Sequence, residues 1–169
     1  GSALTEGWRL TGAAAPTILT RADPPVCPGD TQALVIAVKP ASWRTALASL
    51  IASVPEDAVI VSVMAGVRAA SLAAALGDRP VARVMPTTAV AQAQGAAANW
   101  SGASGARALA HTLFDPIADT VDLTDEALLD PATAVAGSAP AFFLALAQAL
   151  ARAGVEAGLE PEASERLAR

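Results

Sequence analysis

Three short apolar runs, residues 33–38, 58–63 and 81–85, are the feature that most limits what this chain can fold into. The first, Ala33-Leu34-Val35-Ile36-Ala37-Val38, is apolar at every position, the pattern of a strand buried on both faces of a parallel sheet. Lys39-Pro40 ends it abruptly, and Met64-Ala65-Gly66-Val67 and Pro86 close the other two. Helical spacing fills the gaps: Trp43, Leu47, Leu50 and Ile51 mark a helix over 42–52, and a second runs over 69–76. Strands alternating with helices of about ten residues indicate βαβ units. Right-handed crossovers then give a doubly wound, mostly parallel α/β sheet.

The flanking segments extend this frame. Residues 3–10 form an opening helix stopped at Thr11-Gly12, and Thr17-Ile18-Leu19-Thr20 is a short β-prone run. Residues 22–30, with Pro24, Pro25, Pro28 and Gly29, are loop. Residues 96–100 are a candidate fourth strand, 105–114 a helix and 120–123 a closing strand. After Leu123 the texture changes. Thr124-Asp125-Glu126 is a helix start, Gly137-Ser138-Ala139-Pro140 an interruption, and 141–153 a helix apolar nearly all round. Such a helix is buried, by its own protein or by a partner. Pro161 sits in the first turn of one more helix.

Composition narrows the function classes. Hydrophobic residues make up 53% and charged residues 16%, which excludes a disordered chain. One cysteine, Cys27, excludes a disulfide-stapled scaffold and fits a reducing, cytoplasmic compartment. Mean hydropathy of +0.44 raises the question of a membrane span, but Arg, Asp, Pro or Gln interrupt the apolar stretches. The net charge of −5 argues against nucleic acid, where a basic face supplies most of the affinity. No metal-ligand, Ser-His-Asp or paired-carboxylate signature is present in the sequence.

In doubly wound folds ligands sit at the carboxyl ends of the strands. The loops of interest are therefore Thr20-Arg21, Val38-Lys39-Pro40, Met64-Ala65-Gly66 and Met85-Pro86-Thr87-Thr88. Two readings stand for Arg21: a reader of a ribose 2′-phosphate with help from Thr20, or a solvated arginine paired with Asp23. Lys39, the only lysine, is either a cofactor contact or a solvated ammonium at a turn. Gly66 serves a close backbone approach or a tight turn, and Thr87 and Thr88 serve a ligand or turn chemistry. Ser138 caps the following helix, faces a ligand, or does both. His111, the only histidine, is read as a surface or half-buried helix residue, Cys27 as an incidental loop thiol, and Trp8, Trp43 and Trp100 as core anchors.

Four segments in register resemble the pyrroline-5-carboxylate reductase family. Val35-Ile36-Ala37-Val38-Lys39-Pro40 is similar to a strand ending in A-V-K-P, and Ser62-Val63-Met64-Ala65-Gly66-Val67 to S-I-A-A-G-V. Arg83-Val84-Met85-Pro86-Thr87-Thr88 is similar to R-V-M-P-N-T. Residues 133–142 are similar to T-A-L-S-G-S-G-P-A-Y, with Ala139 and Phe142 in place of Gly and Tyr. Thr87 stands for Asn, and Ala89 for the Pro that follows. The resemblance implies a Rossmann-type NAD(P)-binding domain over 1–123 and the start of an all-α dimerisation domain over 124–169. It implies hydride transfer from NADPH, or NADH, to the C=N carbon of a small cyclic imine, giving L-proline, in a homodimer or higher oligomer. On this resemblance Thr20, Arg21, Ala37, Val38, Lys39, Pro40, Ala65, Gly66, Met85 and Pro86 contact the cofactor, and Thr87, Thr88 and Ser138 the reacting ring. A glycine-rich loop before Gly1, elements between Arg21 and Ala33, and later helices after Arg169 are expected in a longer parent protein. A reductase of another imine or small carbonyl acid, and a non-catalytic dinucleotide-binding or dimerisation module, are the alternatives.

Overall fold

The computed structural model describes residues 1–13, 16–20 and 22–169. Its sheet has five strands in sequential order: β1 (Ala33–Ile36), β2 (Val59–Ser62), β3 (Val81–Pro86), β4 (Gly95–Ser101) and β5 (Ala118–Asp122). The pairs β1–β2, β2–β3 and β4–β5 are parallel, whereas β3–β4 is antiparallel. The reversal has a physical cause. Only a short connection containing a 3-10 turn (Thr88–Gln92) joins β3 to β4. A parallel return needs a crossover of roughly a dozen residues or more.

Helices cover both faces, as the continuous apolar runs require. Ile36, Ile60 and Met64 face one core with Trp43 and Leu47 of α2 (Trp43–Leu47) and Leu72 and Leu76 of α3 (Ala69–Leu76). Val61, Ala82, Val84 and Ala97 face the other, under Leu4 and Trp8 of α1 (Ser2–Thr11) and Ala106, Ala110 and Phe114 of α4 (Ser104–Phe114). The strand period of two sends successive apolar side chains to opposite cores. Trp8 anchors α1 twice: its Nε1 donates to the Leu113 carbonyl at 2.6 Å, and its ring meets Phe114 edge-on at 6.2 Å. Trp43 is buried like Trp8, while Trp100 is half-buried.

Two compact units divide the chain, residues 1–132 and 133–169. Residues 126–129 belong to the first: a 3-10 turn (Glu126–Leu128) leads into α5 (Leu129–Thr133), and Leu129 is fully buried with Met85 and Ala98. The second unit holds a π-turn (Ala134–Ser138), α6 (Ala139–Glu156) and α7 (Pro161–Leu167). Gly154 of α6 lets α7 approach, and Ser164 Oγ donates to the Ala151 carbonyl at 2.7 Å.

Three expectations are corrected. Residues 17–20 are coil rather than strand, with Ile18 exposed. The 137–140 segment is no interruption: Pro140 lacks the amide for an α-helical bond, and the wider π-turn carries the chain past it without a break. The apolar helix at 141–153 has no buried residue within this chain, which leaves cover by a partner as the expected burial. Contrary to the expected interruption of its apolar stretches, the helical run Glu126–Glu156 contains a window of mean hydropathy 1.6, long and apolar enough by composition to cross a bilayer.

Candidate functional site

Because β1, β2 and β3 run parallel, their carboxyl ends open on one edge of the sheet. That edge gathers Ala37–Pro40, Met64–Gly66 and Met85–Thr88. After β1, Val38, Lys39 and Pro40 are exposed, and the Lys39 carbonyl accepts from the Ser42 amide at 3.0 Å. The start of α1 lies close by, with Gly1 against Ala37. Among the described residues no side chain caps the first amides of α1, and helix N-terminal amides are donors suited to an anion.

After β2, Met64 is buried, but Ala65 and Gly66 are exposed. Gly66 has φ +72° with open space where a side chain would stand. The glycine is needed for the left-handed turn, and the turn presents bare backbone at the sheet edge. After β3, Met85 is buried and Pro86 half-buried. The Thr87 amide donates to the Ala96 carbonyl at 2.8 Å, and Thr87 Oγ1 accepts from the Ala96 amide at 3.1 Å. Thr87 thus holds the β3–β4 turn, while Thr88 is exposed at the start of its 3-10 turn.

The remaining site residues fall elsewhere. Thr20 donates to Asp23 through its amide at 2.6 Å and its hydroxyl at 2.7 Å, which lowers the Asp23 carboxyl below its ordinary range. Asp23 is therefore already paired with Thr20, and Arg21 lies outside the described residues. Ser138 is exposed in the π-turn of the second unit and makes no side-chain cap, which corrects its role as N-cap. The helix runs on through it, so few free amides remain to be capped.

Sequence reasoning missed a buried ion pair. Arg83 interrupts the apolar β3 run and is only 3% exposed, and its Nη1 donates to Glu126 Oε1 at 2.9 Å. An arginine within an otherwise apolar strand is the signal that could have found it, since a buried charge requires a partner.

His111 sits between two carboxylates. Nδ1 is 2.9 Å from Asp115 Oδ1, and Nε2 is 3.1 Å from Asp122 Oδ1, which also accepts from the Asn99 amide nitrogen at 2.9 Å. The Asp115 hydrogen bond, opposed by slight burial and aided by Asp122, raises the His111 pKa above 6.5. The unfolded chain releases this proton near the ordinary value, and the folded chain releases it at higher pH. The clasp therefore stabilises the fold fully below pH 6.5 and fades as pH rises through the raised folded-state value. In thermal unfolding, His111→Gln is expected to lower Tm by a few degrees near about pH 5.5 and by almost nothing near about pH 9. A deficit that stays constant or grows with pH contradicts the clasp. Among the described residues no cluster of His, Cys, Asp and Glu has the makings of a metal site.

A mostly parallel sheet with helices on both faces, loops gathered at its carboxyl edge and a helical unit following it define the Rossmann class of dinucleotide-binding folds. Residues 126–169 match the family model described as "Pyrroline-5-carboxylate reductase dimerisation". The chain is 38% identical over 142 residues to pyrroline-5-carboxylate reductase of Pseudomonas aeruginosa, covering 82% of this chain and 52% of that protein. It is 36% identical over 155 residues to the Thermus thermophilus reductase, covering 89% of this chain and 56% of that one. The crystal structure of Plasmodium falciparum pyrroline carboxylate reductase with NADP bound superposes with a TM-score of 0.78 at 23% identity, over 99% of this chain and 70% of that one. Over most of its length the chain is similar to pyrroline-5-carboxylate reductases, and it spans about half the length of the curated relatives it matches.

Proposed function

We propose that the protein carrying this chain reduces the C=N bond of 1-pyrroline-5-carboxylate to L-proline with NADPH, NADH being the second choice. The observation that carries the reading is the shared edge formed by Ala37–Pro40, Met64–Gly66 and Met85–Thr88, in a chain akin to reductases of that name. A bound nicotinamide supplies the hydride, and the imine carbon, once its nitrogen is protonated, is already an electrophile. The chain's task is to orient and to exclude water.

The residues present fit that cofactor. The uncapped amides of α1 suit a pyrophosphate, and the open backbone at Ala65 and Gly66 suits a flat ring. Val38, Lys39 and Pro40 line the approach from β1, and Met85 and Pro86 from β3. Arg21 and Thr20 read the adenosine ribose, with Arg21 favouring a 2′-phosphate. The Thr87 hydroxyl, already an acceptor for Ala96, keeps a proton to donate, and Thr88 offers a second hydroxyl. Ser138 is kept as a ring contact on the family resemblance alone. In this reading 1–123 is the cofactor domain, 124–169 begins the dimerisation domain, and the protein works in the cytoplasm as a homodimer or higher oligomer.

The test is NADPH oxidation by the full-length protein with pyrroline-5-carboxylate and with other cyclic imines. Turnover is expected to be fastest with pyrroline-5-carboxylate. No turnover with any imine refutes the reductase reading, and preference for another ring moves the protein to a related reaction.

A further inference from the structure

Arg83, on β3, stands in register with Ser62 of β2 and Trp100 of β4. Its guanidinium is buried, Nε and Nη2 have no hydrogen-bond partner among the described residues, and Nη1 makes its ion pair with Glu126. The same Glu126 Oε1 accepts from the Ala69 amide at 2.6 Å. Ala69 opens α3, whose N-cap residue Arg68 supplies no side-chain cap. One carboxylate oxygen therefore joins three elements: the strand that leads into Met85–Thr88, the helix that ends the Met64–Arg68 loop, and the segment after β5.

The Met64–Arg68 loop is held at both ends. At its start the Met64 amide donates to Ser62 Oγ at 3.3 Å, and at its finish the Ala69 amide meets Glu126. Between these anchors Val67 is buried and Ala65 and Gly66 are exposed. Arg83 lies two residues before Met85, so its pull on Glu126 sets the end of β3 against the start of α3. Among the described residues Glu126 is the one hydrogen-bonding partner of the guanidinium, and so the group that fixes its orientation.

We propose that Glu126, through Arg83 and the Ala69 amide, is a positioning residue that sets the Met64–Gly66 loop against the Met85–Thr88 loop for cofactor binding. This rests on the reading of that edge as the nicotinamide site. It touches neither cofactor nor substrate, so its loss is felt in the cofactor step first.

The test compares Glu126→Ala, Glu126→Gln and Arg83→Met in the full-length protein, measuring the NADPH dissociation constant, the imine KM and the exchange of the Ala69 amide. Glu126→Ala and Arg83→Met are expected to weaken NADPH by more than about fivefold while the imine KM moves by less than about twofold. Glu126→Gln keeps an oxygen for the Ala69 amide and is expected to restore its protection and most of the affinity. NADPH affinity within about fivefold of the parent in a folded Glu126→Ala overturns the proposal, as does an equal shift in both constants, the sign of general loosening. If Glu126→Ala does not fold, Arg83→Met decides by the same criteria. A parent protein that binds NADPH but reduces no imine loses the reductase reading, and the cofactor measurement alone then decides this one. A parent protein that binds no NADPH overturns both.

Discussion

Gly7→Ala is expected to destabilise the protein by about 3 kcal/mol or more, although alanine is the better helix former by about 1 kcal/mol. Gly7 lies inside α1 on its buried face. A Cβ there would overlap the Val90 carbonyl oxygen and press on Ile117 Cγ2 at 3.0 Å. The carbonyl is backbone, so no rotamer change relieves the overlap. α1 must lift, and it carries Leu4 and Trp8 out of the core and strains the Trp8 bond to Leu113. Gly95 presses on the same place from the sheet, where a Cβ would meet Val90 and, at 3.1 Å, the Ile117 carbonyl. Val90 is thus caught between two glycines. Its 3-10 turn begins at Thr88, so the expected damage reaches the candidate site as well as stability. Gly105→Ala is the control: that glycine is also helical, but its Cβ would meet nothing within 4 Å, and a gain of about 0.5–1 kcal/mol is expected. Urea unfolding of the two variants checks the opposite signs. A Gly7→Ala midpoint near that of the parent protein would sink the close-approach account.

That contrast also shows what a sequence can and cannot disclose. Strands at 33–36, 59–62 and 81–86 and the helix at 69–76 were legible because burial on two faces writes itself into consecutive residues. The shared edge followed from the same pattern, since parallel strands end on one side. Gly7 looked like an ordinary helix residue, because what it touches lies some eighty residues away and leaves no local mark. The direction of β4 was hidden for a similar reason: its own residues fit either sense, and only the short link after β3 decides it. Residues 17–20 have strand propensity, but β-propensity needs a neighbouring strand, and none pairs with them in the described structure. Ser138 had the residue type of a cap. Whether a helix begins or merely continues there depends on how the backbone accommodates Pro140. Arg83 could have been flagged by its apolar surroundings, but its partner Glu126 comes from beyond β5 and no spacing rule would pick it out.

Phe143→Glu is expected to turn an oligomer into a monomer. Phe142, Phe143, Leu144, Leu146 and Leu150 of α6 are all more than half exposed, with Phe142 at 74% and Phe143 at 71%. Phe142, Leu146 and Leu150 recur at helical spacing of four, and Phe143 lies beside them, so they form one apolar stripe. A stripe of this size in water is a docking surface or an aggregation hazard. The match of residues 126–169 to a dimerisation model favours a second copy as the cover. An aromatic anchor at the centre of such an interface typically contributes about 2 kcal/mol or more, and a buried carboxylate adds its own desolvation cost. The dissociation constant is therefore expected to rise by at least about thirtyfold. Sedimentation of the full-length protein over a range of concentrations reads this directly, with Glu156→Ala, at the polar end of α6, leaving the assembly intact. The helical run that contains the stripe is also apolar enough to enter a bilayer, so flotation with lipid vesicles belongs beside the sedimentation. A parent protein that stays monomeric and floats with vesicles would assign the stripe to lipid. A parent that sediments as a dimer, and a Phe143→Glu variant that does not, would assign it to the second copy and explain why a chain so rich in small apolar residues leaves these large ones uncovered.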